Sequence, residues 1–185
     1  MKDLSWKVLS SSYLFKDLWF TVRKDKCITP EGTIVDPYYV YEFPTWVTVV
    51  ALTEDNKVIM VRQYRHALGE TMMEIPGGCV DDTDTSLEEA AARELLEETG
   101  YVCDTYEYLG KISANPSTNN NIMHMYLARN GKKVKEQELD HNEEIEVYLL
   151  TIDEIKELLK QNQILQAMHA SCLFYALNKI GEMKY

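Results

Sequence analysis

EIPGGCVDDTDTSLEEAAARELLEETGY, residues 74–101, decides how the rest of the chain is read. Its second half has helical spacing. Ser86 stands three residues before Glu89, the pattern of a capping box, and Gly100 suits the position just past a helix end. A helix over 86–99 is therefore expected. On it Glu94 and Glu97 are three apart and Glu94 and Glu98 four apart, so the carboxylates share one face. Exposed like charges at that spacing repel by roughly 0.2–0.5 kcal/mol per pair. A hard divalent cation removes that cost. Mg²⁺ and Mn²⁺ prefer oxygen ligands and keep waters or substrate phosphates in their remaining positions. Arg93 lies four residues before Glu97 and four after Glu89, where its fork can orient the acids. Ala90, Ala91 and Ala92 let the helix lie close to a neighbour. Pro76-Gly77-Gly78 forms a loop whose bare backbone can approach a metal or phosphate.

Working outward, the chain changes period on both sides. Residues 46–52 and 57–64, joined by Glu54-Asp55-Asn56, read as a hairpin with a buried face, and 71–75 as a short strand. Downstream, 106–112, 122–128, 132–138 and 145–150 are strand-like, with Asn130-Gly131 as a turn. Thr151 caps a helix through residue 159, and a second helix is expected over 164–180. The first 45 residues are rich in aromatic and β-branched types. They predict strands at 6–15, 18–23 and 33–43, the last interrupted at Pro37, with a turn at Thr29-Pro30-Glu31-Gly32. Pro44 breaks the ladder, so a β-rich subdomain over 1–45 and a second domain over 46–185 are expected. The order of elements implies an α+β fold with a mixed sheet. A solvated acidic helix is the competing reading of the charge run alone. The glycines before it, Thr99-Gly100 after it and the flanking strands weigh against that.

The chain has 185 residues and a net charge of −11. Such a balance opposes a general phosphate-backbone binder, so no nucleic-acid partner is expected. A small anionic substrate would need a metal to screen the carboxylates. Cys27, Cys79, Cys103 and Cys172 are scattered, with no C-x-x-C pair, which suggests free thiols in a reducing cytoplasm. Residues 1–10 lack the apolar core of a signal peptide, and 46–52 is too short to span a bilayer, so no membrane association is expected.

At this point the sequence resembles the Nudix hydrolase family. Gly78 opens the signature, and Arg93-Glu94-Leu95-Leu96-Glu97-Glu98-Thr99-Gly100 closes it. Two positions depart from the pattern. Asp84 stands where the first glutamate is expected, with eight residues rather than seven before Arg93, and Tyr101 takes the final aliphatic position. Within the family the chain is most similar to the ADP-ribose pyrophosphatase group. The elements that carry this are Val61-Arg62-Gln63-Tyr64-Arg65, Glu74-Ile75-Pro76-Gly77-Gly78, and Pro116, sixteen residues after Gly100.

The resemblance implies an α/β/α sandwich and Mg²⁺-dependent hydrolysis of the diphosphate of ADP-ribose or a related nucleoside diphosphate sugar, with Mn²⁺ as the alternative ion. It implies metal ligands at Glu94, Glu97, Glu98 and the Gly77 carbonyl. Glu97 is counted with Glu143 among the catalytic residues, and Arg65 and Glu74 among the substrate-binding ones. The base is sought in Asp140-His141-Asn142-Glu143-Glu144, ahead of a late strand: Glu143 first, Glu144 in reserve, His141 outside both. Trp19, Phe20, Tyr39, Tyr41 and Trp46 are the aromatics available for base stacking, and His124 is read as structural. A small sheet is marginal alone, and the resemblance favours a homodimer through residues 1–45. Two other functions remain open: a catalytically silent nucleotide sensor, and a hydrolase of nucleoside triphosphates or dinucleoside polyphosphates.

Overall fold

The computed structural model describes residues 1–17 and 20–183, so Trp19 and the start of the expected 18–23 strand lie outside the described residues. The chain divides into two compact units, 1–44 with 113–122, and 45–112 with 123–185.

The smaller unit is an antiparallel sheet of β1 (Lys7–Lys16), β2 (Thr21–Ile28) and β3 (Ile34–Glu42), in that order. Pro37 does not interrupt its strand. β3 runs through it, and the ladder to β2 shifts register between Asp25 and Cys27, opposite the proline. An edge strand tolerates this because its outward side needs no partner. The segment 113–122 joins this unit through backbone bonds from Tyr41 to Thr118 and from Asn120 to Tyr41. Every residue of β1 is exposed.

The larger unit holds β4 (Trp46–Thr53), β5 (Val58–Arg65), β6 (Glu70–Glu74), β7 (Gly77–Cys79), α1 (Leu87–Thr99), β8 (Tyr101–Val102), β9 (Thr105–Ile112), β10 (Met123–Lys133), β11 (Ile145–Leu150), α2 (Ile152–Lys160) and α3 (Ala167–Lys179). Its sheet runs β11-β5-β4-β10-β8, with β6 on β5, β7 on β4 and β9 on β10. β4 and β10 are parallel and the other pairs antiparallel, so the sheet is mixed.

Period-two alternation sorts the core into two layers. Val47, Val49 and Ala51 of β4 pack with Ala90, Ala91 and Leu95 of α1. Val50 and Leu52 of the same strand pack with Ile155 of α2 and Cys172, Leu173 and Ala176 of α3. The result is the expected α/β/α sandwich: α1 on one face, α2 and α3 on the other.

Three further expectations change. Asn130-Gly131 is not a turn. β10 continues through it to Lys133, with Asn130 at φ 59° and a register shift between Ala128 and Gly131, so the signal marks a bulge. Residues 134–138 accordingly form no strand. The last helix starts at Ala167, because Ile164 is buried in the core ahead of it and Gln166 caps it.

Candidate active site

The site is built on α1 and the strand that faces it. Ser86 Oγ accepts the Glu89 N–H at 3.1 Å, an N-cap worth about 1 kcal/mol. The reciprocal arm of the expected capping box goes elsewhere: the Glu89 carboxylate accepts from Thr85 N–H and Thr85 Oγ rather than from the Ser86 amide. Gly100, at φ 77°, ends the helix by donating to the Leu96 carbonyl. Ala90 and Ala91 have no exposed surface, which seats α1 directly on β4.

Residues 77–79, expected as a loop, form β7 and pair with residues 46–48. This brings the glycine backbone against the acidic helix. The Gly77 N–H donates to Glu98 Oε2 at 3.0 Å. A side chain on Gly78 would place its first carbon 2.6 Å from the Glu94 carboxylate. Buried Glu98 and half-buried Glu94 are therefore pressed against bare backbone.

Arg93 gathers the remaining acids. It donates to Asp84 at 3.0 Å, Glu94 at 3.0 Å, Glu97 at 2.8 Å and the Cys79 carbonyl at 2.9 Å. The extra residue in the loop does not displace Asp84 from this pairing. Asx-type bonds from Asp81 N–H to Asp84 and from Thr83 N–H to Asp81 fold it up. The hydrogen bonds from Arg93 hold the Asp84 carboxyl below the usual range.

The electrostatics are unbalanced in one direction. Burial pushes Glu94 up to about 7; Arg93 opposes this, while Glu97 and Glu143 add to it. Burial pushes Glu98 well above its ordinary value against the Gly77 hydrogen bond, with Glu94 and Glu143 adding to it. A buried and a half-buried carboxylate in one negative field call for a cation. Among the described residues, no three His, Cys, Asp or Glu side chains stand close enough to enclose an ion. An all-oxygen set completed by backbone, water and diphosphate oxygens still fits a hard divalent ion.

Arg65 and Gly77-Gly78 line one cavity of about 360 Å³. Arg65 donates through Nε and Nη2 to Glu74, at 3.1 and 2.5 Å. Glu74 is 1% exposed and also accepts from Gln63 at 3.2 Å, so it sits beneath Arg65 rather than in the cavity. Glu143 lies in a separate recess with Gln63, Tyr64 and His141, its carboxylate accepting the Asp140 N–H. Its charge nonetheless reaches Arg65, Glu94 and Glu98. Glu144 and His141 are exposed. His124 pairs with Tyr108 at 2.9 Å.

Sequence reasoning missed Gln137, whose amide donates to the Glu98 carbonyl at 2.6 Å and the Ile145 carbonyl at 3.0 Å. It ties the end of α1 to the start of β11, beside the acidic loop. Its only signal lay in a segment read as a strand. Gln166, Met168 and His169, which line the cavity with Trp46 and Met123, were also missed; a histidine in an apolar helix gives no such sign.

Comparison with known proteins agrees with this architecture. The NUDIX domain pattern matches residues 43–170, and the nucleoside diphosphate sugar hydrolase N-terminal domain matches 6–41. The chain is 31% identical to the methanol dehydrogenase activator of Bacillus methanolicus, over 85% of each chain. It is 29% identical to the ADP-ribose pyrophosphatase of Bacillus subtilis, over 95% of this chain and 94% of that one. It is 32% identical to the ADP-ribose pyrophosphatase of Mycobacterium tuberculosis, over 77% and 69%. A crystal structure of an ADP compounds hydrolase superposes with a TM-score of 0.84 at 24% identity, covering 99% of this chain and all of that one.

Proposed function

This chain belongs to the Nudix hydrolase family, and we propose that within it the protein cleaves the diphosphate of ADP-ribose or a related nucleoside diphosphate sugar with Mg²⁺ bound, Mn²⁺ being the alternative. The observation that carries this is the pair of carboxylates, buried Glu98 and half-buried Glu94, set against the bare Gly77-Gly78 backbone of a cavity that Arg65 also lines. The match of 6–41 to an N-terminal domain of nucleoside diphosphate sugar hydrolases supports the substrate class.

In this reading Glu94, Glu97, Glu98 and the Gly77 carbonyl would hold a divalent ion, which would supply charge neutralisation at the diphosphate and a more acidic water. Arg93 orients the acids from behind. Arg65 engages a phosphate oxygen, and Glu74 keeps its guanidinium extended. Glu143 takes the proton of the attacking water as the phosphorus–oxygen bond of the anhydride breaks. The products are a nucleoside monophosphate and a sugar phosphate. Gln137 keeps the acidic loop in step with α1.

Incubation with ADP-ribose and Mg²⁺ should yield AMP and ribose 5-phosphate, identified by mass. Glu98→Gln should lower turnover at least about 100-fold with the fold intact. Near-normal Mg²⁺-dependent activity in that variant would remove Glu98 from the site.

The partner is a small nucleotide together with a second copy of the chain. The N-terminal unit exposes Val8, Leu9, Tyr13, Leu14 and Phe15 on both faces of β1, more apolar surface than a lone three-stranded sheet keeps in water. Four free cysteines accord with a reducing cytoplasm. No helix among the described residues is long and apolar enough to cross a membrane.

A further inference from the structure

The cavity beside Arg65 and Gly78 has a second wall that cleavage of the diphosphate does not use. It is made by the first turn of α3, with Gln166 and His169, and by the apolar side chains of Trp46, Met123 and Met168. At about 360 Å³ the space is of small-molecule size.

His169 is 6% exposed, and its Nδ1 has no hydrogen-bond partner. That nitrogen is turned toward Glu74, so Nε2 is the ring atom left for the cavity that His169 lines. The nearest carboxylate, Glu74 Oε2, is 4.0 Å away. Burial lowers the ring's pKa to about 4, with Glu74 acting to raise it and Arg65 to lower it further, so the ring is neutral at pH 7. A neutral imidazole carries one proton. The Glu74 carboxylate beside Nδ1 favours the proton there, which leaves Nε2 as an acceptor. Gln166 contributes the opposite character. Its side-chain oxygen takes the Met168 N–H at 3.4 Å, and its amide NH₂ remains as a donor.

One acceptor and one donor over an apolar floor match a ring that carries hydroxyls on its edge and CH groups on its face. We propose that His169 and Gln166 are specificity-determining residues of a sugar subsite, receiving hydroxyls of the group that the diphosphate joins to the nucleoside. His169 accepts a hydroxyl proton at Nε2, Gln166 donates to a neighbouring oxygen, and Trp46 covers a face of the ring. This assignment rests on the hydrolase reading given above.

The test compares two substrates that share the ADP half: ADP-ribose, and ADP esterified with n-pentanol, which has no hydroxyls to read. His169→Ala should lower kcat/KM for ADP-ribose by roughly 10–100-fold, mainly through KM, and leave the pentyl ester within about 3-fold. Gln166→Ser, which retains a capping oxygen, should act in the same direction. His169→Gln, which can still accept, should recover part of the loss and carries the test if the alanine variant does not fold. Equal losses on both substrates would overturn the proposal, because they would mark His169 as a support for Arg65 and Glu74. A readout independent of turnover is the ring nitrogen spectrum of His169 in the whole protein. Ribose 5-phosphate should shift it and inorganic phosphate should not. No shift, or the same shift with both, overturns the subsite. If the wild-type protein cleaves neither substrate, the hydrolase reading fails, and this titration still decides the sugar subsite by itself.

Discussion

Two adjacent glycines make the sharpest test of the site, because the same substitution should do opposite things at each. A methyl group on Gly78 would stand 2.6 Å from all three atoms of the Glu94 carboxyl group. Ordinary carbon contact begins near ~3.5 Å, so the carboxylate must retreat by about 1 Å. It is the far end of a side chain held by Arg93, so it can retreat without moving backbone. The fold should therefore survive Gly78→Ala with a stability change within about 1 kcal/mol, part of it favourable through the unfolded state. The acid face would not survive unaltered, since misplacement of about 1 Å at a reacting centre costs on the order of 100-fold in rate. At Gly77 the methyl would meet the Val47 carbonyl and lie 2.7 Å from the Thr48 Cα, both backbone of the central strand. Gly77→Ala should instead destabilise by several kcal/mol, roughly the cost of overpacking a core or more. Urea unfolding and Mg²⁺-dependent hydrolysis on both variants separate the two effects. A folded Gly78→Ala protein with activity within threefold of wild type would refute the claim that Glu94 acts from where it lies.

Three further outcomes follow from the same geometry. Glu143→Gln should depress turnover by roughly 10²–10⁴-fold and Glu144→Gln much less; the reverse ranking, read by steady-state kinetics, would move the base by one residue. Glu94 titrates at about 7 in the fold against an ordinary 4.5, so the native state holds the extra proton between those values. Its contribution to stability is present below pH 4.5 and is lost as pH rises to about 7. Urea midpoints of metal-stripped protein should fall across that window, and Glu94→Gln should flatten the fall; an unchanged slope would count against a strained Glu94. Leu14→Glu, placed on exposed β1, should shift sedimentation from dimer to monomer, and a wild-type monomer would end the dimer reading.

What could be read in advance was whatever depends on local periodicity. β4 is a nearly continuous apolar run that marks a buried strand, and α1 carries its own start and stop in Ser86 and Gly100. What could not be read depends on partners remote in the chain. Gly77-Gly78 has poor strand propensity and becomes β7 only because β4 supplies the ladder. Asn130-Gly131 has the chemistry of a hairpin turn, but β4 holds β10 straight past it, and the residues' freedom is spent on a bulge. In the site, the acids of α1 were visible because helical spacing is local. The second wall was not, since residues 46, 123 and 169 share nothing in sequence and meet only through the sheet.

Under the proposed function, the arrangement also accounts for an anionic substrate on a chain of net charge −11. Most of its excess charge lies at the surface, where water screens it. Glu94 and Glu98 are different, because burial removes that screening and Arg93 is already shared among Asp84, Glu94 and Glu97. Without a cation the two acids favour protonation, which relieves the repulsion. In the proposed reaction a bound divalent ion would reverse that preference, with Glu94 and Glu98 giving up their protons to hold it. Arg65 is paired at 2.5 Å with Glu74 beneath it, and its charge also reaches Glu98, where it opposes the effect of burial without bonding to that acid.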